Sequence, residues 1–287
     1  MKIFKIKSFC KINLTLKVIK KIRNGYHNIS SIVTFCDIHD LISVQTTQGS
    51  KDKLFFYGKF KKGINIKLNT VTKLLSLLRK KKFFINKRFR ISIKKNIPHG
   101  SGLGGGSSNA ANLLNFFNNK MRLRLNKKEM FKIASKIGFD VPISLERKNT
   151  FLTEKCNKMI RISKKFGLNI LIIYPNIVCS TKKIYSKNKK FTTTQAKLRN
   201  HFKNKNHLIS YLQRENNDLE KTVVGFYPKI KKIINFIQSQ KGCYFSRITG
   251  SGSACIGIFS NTKAALYAQK LIKLKFPTYW CVVSKTI

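Results

Sequence analysis

Apolar and polar residues alternate along the first part of the chain, a period that predicts β-strands. In the segment KINLTLKVIK, every second residue from 12 to 18 is apolar, which predicts a strand with one buried face. The same register puts Lys11 and Asn13 together on the opposite, polar face. The following segment, RNGYHNISSIVTFCDIHDLISVQ, has the turn-favouring pair Asn24 and Gly25 between apolar runs. It therefore predicts a strand, a turn and a second strand.

Two later segments have apolar residues at helical spacing. In NTVTKLLSLLRKKK the apolar positions 71, 74, 75 and 78 predict an amphipathic helix with basic residues at its end. NKKEMFKIASKIG predicts another, since Asn126 and Glu129 form a capping-box pattern and Gly138 follows the last apolar residue. Between them, RFRISIKKNIP alternates and predicts a strand that stops at Pro98. After the second helix, FDVP predicts a loop that carries Asp140.

The second half of the chain mixes short strands and helices. LNILIIYP, ACIGIF and TYWCVVSK predict strands, whereas EKTVVGFYPKIKKIINFIQSQKG and TKAALYAQKLIKLK predict helices. A Lys- and Asn-rich stretch at about 186–206 predicts a surface loop or a weak helix. Because strands and helices follow no regular alternation, we expect an α+β fold rather than a parallel βαβ series. The change in pattern predicts two domains, residues 1–153 and 154–287.

Composition excludes several classes of protein. No stretch approaches the roughly 18 apolar residues of a membrane span, and the start lacks the continuous apolar run of a signal peptide. The seven cysteines form no CxxC pair, which favours a reducing compartment, so we expect a cytoplasmic protein without a membrane partner. The net charge of +49 is spread over the whole chain, as A/T-rich codon usage would produce, and predicts only weak, non-specific binding of nucleic acid.

The glycine-rich segment NIPHGSGLGGGSSNAANLL lies between a predicted strand and a predicted helix. We expect Ser107 or Ser108 to be the N-cap of that helix. Backbone N–H groups and the helix dipole would then point at one place, which suits a phosphate. A GxGxxG spacing is present, but a dinucleotide fold needs an acid at the end of the next strand and Glu129 instead starts a helix. No Lys-Ser/Thr follows the glycines, so a Walker loop is excluded; a flexible loop without a ligand stays an alternative.

Four blocks in order resemble the GHMP kinases, a family that includes galactokinase and the homoserine, mevalonate and phosphomevalonate kinases. They are CKINLTL with NGYH, the glycine-rich loop, GFDVP, and RITGSGSACI. The resemblance implies two α+β lobes, the first like ribosomal protein S5 domain 2 and the second ferredoxin-like. It also implies transfer of the γ-phosphate of ATP, with Mg²⁺, to a hydroxyl of a small molecule. The GYH block and GGGSSNAA resemble the branch that acts in isopentenyl diphosphate biosynthesis on the 2-hydroxyl of a substrate with a cytidine diphosphate head.

The resemblance also implies roles for individual residues. Asp140 would take the proton from the substrate hydroxyl and Lys11 would pair with it, whereas Phe139 stands where the family usually has alanine. ATP would be bound by the glycine-rich loop, namely Pro98, His99, Gly100, Ser101, Gly102, Leu103, Gly104, Gly105, Gly106, Ser107 and Ser108. The second substrate would be bound by Asn13, Tyr26, His27, Tyr185, Gly250 and Gly252.

Other functions stay open on the sequence. Another GHMP kinase, of the homoserine or mevalonate type, would keep the glycine-rich loop without needing a cytosine pocket. A basic nucleic-acid-binding protein is an alternative of another class, although we expect no specific nucleic-acid partner. The histidines have no metal-ligand spacing, so no protein metal site is predicted. The chain is expected to be a monomer or a homodimer.

Overall fold

The structure is a computed structural model that describes residues 2–22, 27–153, 159–192, 202 and 204–287. The Asn24-Gly25 turn, Tyr26 and much of the Lys- and Asn-rich stretch lie outside the described residues. The strands are β1 Ile3–Asn13, β2 Lys17–Lys21, β3 His27–Thr47, β4 Lys53–Tyr57, β5 Arg88–Lys94, β6 Asn149–Leu152, β7 Met159–Ile162, β8 Asn169–Tyr174, β9 Cys243–Ile248, β10 Cys255–Phe259 and β11 Trp280–Lys285. The helices are α1 Thr70–Lys80, α2 Gly105–Lys120, α3 Lys127–Ile137, α4 Asp140–Ile143, α5 Thr181–Lys187, α6 Lys205–Arg214, α7 Glu220–Phe226, α8 Lys229–Gln238 and α9 Thr262–Lys275.

The chain forms two compact units that interleave along the sequence. The first unit comprises Met1–Lys11, Ile38–His99 and Gly104–Arg147, and the second comprises Ile12–Asp37, Gly100–Leu103 and Lys148–Ile287. The domain boundary at residue 153 stays a prediction.

In the first unit, strands form one layer and helices the other. Strand β5 pairs with β4 in parallel and with the 41–47 part of β3 in antiparallel. Alternate residues of β5 are buried against α1, α2 and α3, in a core that includes Phe89, Ile91, Leu74, Leu114 and Ile133. Burying an apolar side chain of this size contributes about 1.5–3 kcal/mol. The burial of these apolar side chains therefore holds the helices on the sheet.

The predicted helices of the first unit are confirmed. Asn69 caps α1, whose buried residues are the four predicted ones. Asn126 and Glu129 form a complete capping box at the start of α3, and Gly138 ends it. These elements depend on neighbouring residues alone, and for that reason the sequence was sufficient to predict them.

The glycine-rich loop ends earlier than predicted, and Ser107 and Ser108 are not the N-cap of α2. That helix begins at Gly105, and its N-cap is Gly104, with a φ of 65° in the left-handed region. Glycine adopts that backbone conformation without the steric cost that other residues bear. The chain therefore turns into the helix before the serines, which lie in the first turn.

The second unit contains a four-stranded antiparallel sheet in the order β11–β8–β10–β9. In chain order the strands and the helices between them form a β-α-β-β-α-β pattern, which is the ferredoxin-like arrangement. Helices α8 and α9 bury apolar residues against this sheet, among them Ile233, Ile237, Ala268 and Ile272. Pro228 is the N-cap of α8.

The two units together confirm the α+β fold class. The predicted strand KINLTLKVIK is interrupted at residues 14–16, so it contributes the end of β1 and the start of β2. Within the described ranges, no helix is long and apolar enough to cross a membrane.

Candidate active site

The predicted pair of Lys11 and Asp140 is brought together in the first unit. Lys11 Nζ lies 3.0 Å from Asp140 Oδ2, and the lysine side chain is 3% exposed while the aspartate side chain is 38% exposed. The expectation that Lys11 lies on an exposed polar face is wrong, because this end of β1 is buried on both faces. A buried ammonium is stable only with a partner. The pair thus presents to solvent one carboxylate supported from behind by a cation.

The sequence predicted a loop at Asp140, and this prediction is wrong. Asp140 is the first residue of the short helix α4. The helix is closed by Ser144, whose N–H and hydroxyl both donate to Asp140 O, at 3.3 and 3.1 Å. Pro142 lies within this turn, where the absence of an N–H is tolerated. Phe139 precedes it and is 53% exposed. The carboxylate is therefore carried by a turn of helix with a defined direction.

The exit of the glycine-rich loop lies beside this pair. A Cβ on Gly104 would come within 3.0 Å of Lys11 Cε. Glycine at this position therefore leaves room for the Lys11 side chain. The first turn of α2 has no acidic residue and no side-chain cap, and the N–H groups of such a turn lack partners within the helix. Ser107 is partly exposed, whereas Ser108 is buried with its Oγ 3.3 Å from Ser144 Oγ. This helix start suits an anion.

The entrance of the loop belongs to the first unit as well. Pro98 is buried and His99 is partly exposed. Burial, and secondarily the positive charge of Lys95, lower the pKa of His99 below its ordinary value. The imidazole is therefore neutral at neutral pH and adds no charge to the loop.

The middle of the loop, Gly100–Leu103, packs in the second unit against the other predicted glycine motif. A Cβ on Gly102 would lie 2.2 Å from Thr249 O and 3.1 Å from Gly252 N. One backbone bond joins the two motifs, because Ala254 N donates to Ser101 O at 2.9 Å. A second bond, from Cys179 N to Gly100 O at 2.9 Å, holds the loop from outside that motif. The middle of the glycine-rich loop and the RITGSGSACI segment thus pack backbone against backbone.

Replacing Gly102 by alanine is expected to destabilise the protein. Its φ is +82°, so an alanine would carry about 1–2 kcal/mol of backbone strain in addition to the overlap with Thr249 O. Gly106→Ala is the matched comparison, because Gly106 is helical with Thr70 Oγ1 no closer than 3.4 Å and alanine favours helices. Thermal unfolding should show a lower Tm for Gly102→Ala and an unchanged or higher Tm for Gly106→Ala. Equal Tm values would contradict the packing argument.

Asn13 lies in the second unit beside Gly250. Asn13 N donates to Thr249 Oγ1 at 2.9 Å, and Asn13 Nδ2 donates to Ser31 Oγ at 2.8 Å. Its Oδ1 is 3.4 Å from the position that a Cβ on Gly250 would occupy. Asn13 is 3% exposed, so the expected exposed polar face is wrong here too. The bond to Ser31 orients the side-chain amide, and the backbone bond to Thr249 joins Asn13 to the second glycine motif.

His27 and Tyr185 form an aromatic cluster in the second unit. The ring centroids of His27 and Tyr185 are 5.1 Å apart. The ring of Phe191 stacks on that of His27, with centroids 6.3 Å apart and an interplanar angle of 17°. Burial, and then the charge of Lys21, lower the pKa of His27, so its neutral ring has one donor and one acceptor nitrogen. Tyr26 lies outside the described residues.

Phe191 is a candidate residue that sequence reasoning missed, because an aromatic in a polar stretch has no periodic pattern. Its position is set by its neighbour Thr192, whose Oγ1 donates to the buried Asp218 at 2.7 Å and whose N donates to Val18 O at 2.8 Å. Phe191 itself is 43% exposed. It therefore presents an accessible aromatic ring from an anchored backbone.

In the described ranges, no three His, Cys, Asp or Glu side chains are grouped as metal ligands.

Comparison with known proteins finds similarity to kinases along the whole chain. Two family models match, described as the N-terminal domain of GHMP kinases at residues 69–147 and the C-terminal domain of GHMP kinases at residues 196–276. A 4-diphosphocytidyl-2-C-methyl-D-erythritol kinase from Pelagibacter ubique is 40% identical over 287 residues, 100% of each chain.

Among solved structures, a 4-(cytidine 5'-diphospho)-2C-methyl-D-erythritol kinase matches with a TM-score of 0.75 and 21% identity, covering 98% of this chain and 99% of that one. A homoserine kinase from Cytophaga hutchinsonii matches with a TM-score of 0.74 and 15% identity, covering 100% and 95%. The two TM-scores are nearly equal although the two kinases act on different substrates, so these structural matches show the fold alone.

Proposed function

The chain belongs to the GHMP kinases and is a small-molecule kinase, and from this premise we propose that its substrate is 4-diphosphocytidyl-2-C-methyl-D-erythritol. The proposed reaction transfers the γ-phosphate of ATP to the 2-hydroxyl of that substrate, a step of isopentenyl diphosphate biosynthesis. Identity of 40% along the whole length of a kinase with that name is the main support. The aromatic cluster at His27 is the structural observation that favours a substrate with a base.

In this mechanism Asp140 is the general base. Its carboxylate is the solvent-accessible member of the pair with Lys11, so it can accept a hydrogen bond from a bound hydroxyl. As the oxygen attacks phosphorus, the proton moves from the hydroxyl to an Asp140 carboxylate oxygen, and the P–O bond to ADP breaks. The ammonium of Lys11 holds the carboxylate in place and offsets the negative charge that gathers near it.

The glycine-rich loop is proposed to hold the phosphates of ATP. The left-handed glycines leave no Cβ over the backbone, and the uncapped first turn of α2 offers N–H donors; both fit a phosphate. Mg²⁺ would accompany ATP and lower the repulsion between phosphates and nucleophile.

The second substrate is proposed to be recognised through its cytosine. The rings of Tyr185 and Phe191, which pack against the buried His27, offer stacking surfaces, and the neutral imidazole of His27 offers hydrogen bonds to a base edge. Asn13, Gly250 and Gly252 are proposed to contact the rest of the substrate. Tyr26 is proposed for the same pocket from the sequence. A cytoplasmic location and a monomeric or homodimeric state stay predictions.

A substrate panel tests the proposed function directly. ADP release would be measured with ATP and, in turn, 4-diphosphocytidyl-2-C-methyl-D-erythritol, the same compound without its cytidine, homoserine and mevalonate. Turnover of the first compound alone is expected. Turnover of homoserine or mevalonate instead would assign the chain to another branch of the family. Binding of RNA or DNA that persists at high salt, without any turnover, would favour the nucleic-acid alternative.

Replacing Tyr185 by alanine is expected to weaken the binding of the cytidine-headed substrate. Loss of one base–aromatic stack costs about 1–3 kcal/mol, which is a rise in KM of roughly 5–150-fold. The KM for ATP should stay the same. Tyr267→Ala is the control, because Tyr267 is 62% exposed on α9 of the same unit. Equal rises in the KM values for the two substrates would exclude Tyr185 from the base pocket.

A further inference from the structure

Asp40, on β3 of the first unit, is a fully buried carboxylate to which the sequence assigned no role. It accepts hydrogen bonds from Asn96 N at 2.8 Å, Ile97 N at 2.9 Å and Asn109 Nδ2 at 3.0 Å. It also forms an ion pair with Lys95 Nζ, whose side chain is 3% exposed. Each oxygen of the carboxylate is therefore used, and a buried charge with this many donors is satisfied.

These partners lie at the two ends of the glycine-rich loop. Asn96 and Ile97 directly precede Pro98, where the chain leaves β5 and enters the loop. Asn109 lies on α2, just after the loop has ended. One carboxylate thus joins the entrance and the exit of the proposed phosphate-binding segment.

The ion pair also settles the charge beneath the helix start. Lys95 Nζ is 3.3 Å from the position of a Cβ on Gly105, the first residue of α2. A cation there would oppose the positive end of the helix dipole. The Asp40 carboxylate offsets the charge of Lys95, and a negative charge is itself stabilised near the N-terminus of a helix such as α2.

We propose that Asp40 is a positioning residue for the ATP-binding loop, an inference that rests on the proposed function of that loop. The loop contains Gly100, Gly102 and Gly104, all with positive φ, and glycine loses more backbone freedom on ordering than any other residue. A loop of this kind binds phosphate well only when its ends are held in the binding geometry. Asp40 supplies that restraint through its bonds to the residues at the two ends of the loop.

Asp52 provides a matched control in the same unit. Its carboxylate binds Arg79 Nη2 at 2.7 Å and accepts a hydrogen bond from Phe89 N at 2.9 Å, so it too joins an ion pair and a backbone N–H. These partners lie on α1 and β5 rather than at the ends of the loop. A purely structural role for both aspartates would give both variants the same phenotype.

The test measures equilibrium binding of ADP and of a non-hydrolysable ATP analogue, with Tm, for the wild type, Asp40→Asn and Asp52→Asn. Asp40→Asn keeps the shape but removes the charge, and is expected to weaken nucleotide binding by at least about tenfold. Asp52→Asn is expected to lower Tm as well but to leave nucleotide affinity within about twofold. In steady state, Asp40→Asn should raise the KM for ATP and leave the KM for the other substrate unchanged.

The outcomes separate this inference from the proposed function. A wild type that binds no nucleotide would refute the proposed function. A wild type that binds, with equal affinities for Asp40→Asn and Asp52→Asn, would refute the positioning role alone. Should Asp40→Asn not fold, Asn109→Ala takes its place, because it keeps the Asp40–Lys95 ion pair and removes the link to α2. Weaker nucleotide binding by Asn109→Ala supports the role, and unchanged binding overturns it.

Discussion

Asp140→Asn is expected to lower kcat by roughly 10²–10⁴-fold, the usual contribution of a positioned general base. An amide keeps the size of the side chain and can still lie beside Lys11 at the 3.0 Å that now separates the charges. It cannot accept the proton of the substrate hydroxyl. The KM for ATP should change little, because Asp140 is not assigned to the phosphates. Single-turnover kinetics with saturating ATP would measure the chemical step itself.

Glu129→Gln is the control for Asp140→Asn. Glu129 is a carboxylate of the same unit whose side chain closes the capping box of α3, and glutamine fills that role as well. Its kcat should stay within about twofold of the wild type. Asp140→Asn with kcat within about threefold of the wild type would remove Asp140 from the role of base.

Lys11→Met is expected to lower kcat by about 10²–10³-fold, as loss of one preorganised electrostatic group commonly does. The methionine fills the space of the buried stem but removes the ammonium behind the carboxylate. Because Asp140 is partly exposed, water can solvate it in the variant, so the fold should survive. Circular dichroism and Tm would check this before kinetics are compared.

A double variant distinguishes a joint role of Lys11 and Asp140 from two separate ones. Groups that act as a unit give non-additive losses, so Lys11→Met with Asp140→Asn should be little worse than Asp140→Asn alone. Lys73→Met is the control lysine, since Lys73 Nζ donates to Ile137 O at 3.1 Å elsewhere in the unit. Strictly multiplied losses in the double variant would mean that the two residues act independently.

Local patterns in the sequence were sufficient for most elements of the fold. The capping box of α3, the apolar spacing of α1 and the alternation of β5 each depend on a few adjacent residues. Such interactions form within one turn or one strand, so their residues can be recognised without knowing the rest of the chain. The α+β class followed from the order of these elements.

Predictions that depended on distant neighbours were less accurate. Lys11 and Asn13 were expected on an open polar face, but the packing of other segments buries both. The start of α2 was expected at the serines, yet the left-handed Gly104 allows the helix to begin sooner. The loop at Asp140 is a turn of helix, closed by Ser144. Only the burial of Lys11 and Asn13 comes from distant parts of the chain; the two helix starts are set locally, by the backbone conformation of Gly104 and by the hydrogen bonds of Ser144 to Asp140 O.

The sequence by itself determined the identity of the chemical groups: a scarce carboxylate at Asp140, a lysine on a predicted strand, and a run of glycines between a predicted strand and a predicted helix. Only the tertiary structure decided which of these groups meet. It set the 3.0 Å separation of Lys11 and Asp140, packed Gly102 against Thr249 and gave Asp40 to both ends of one loop. The physical reason is that composition and periodicity report on neighbours along the chain. Ion pairs, close backbone contacts and buried charges are formed between residues that the folded core brings together.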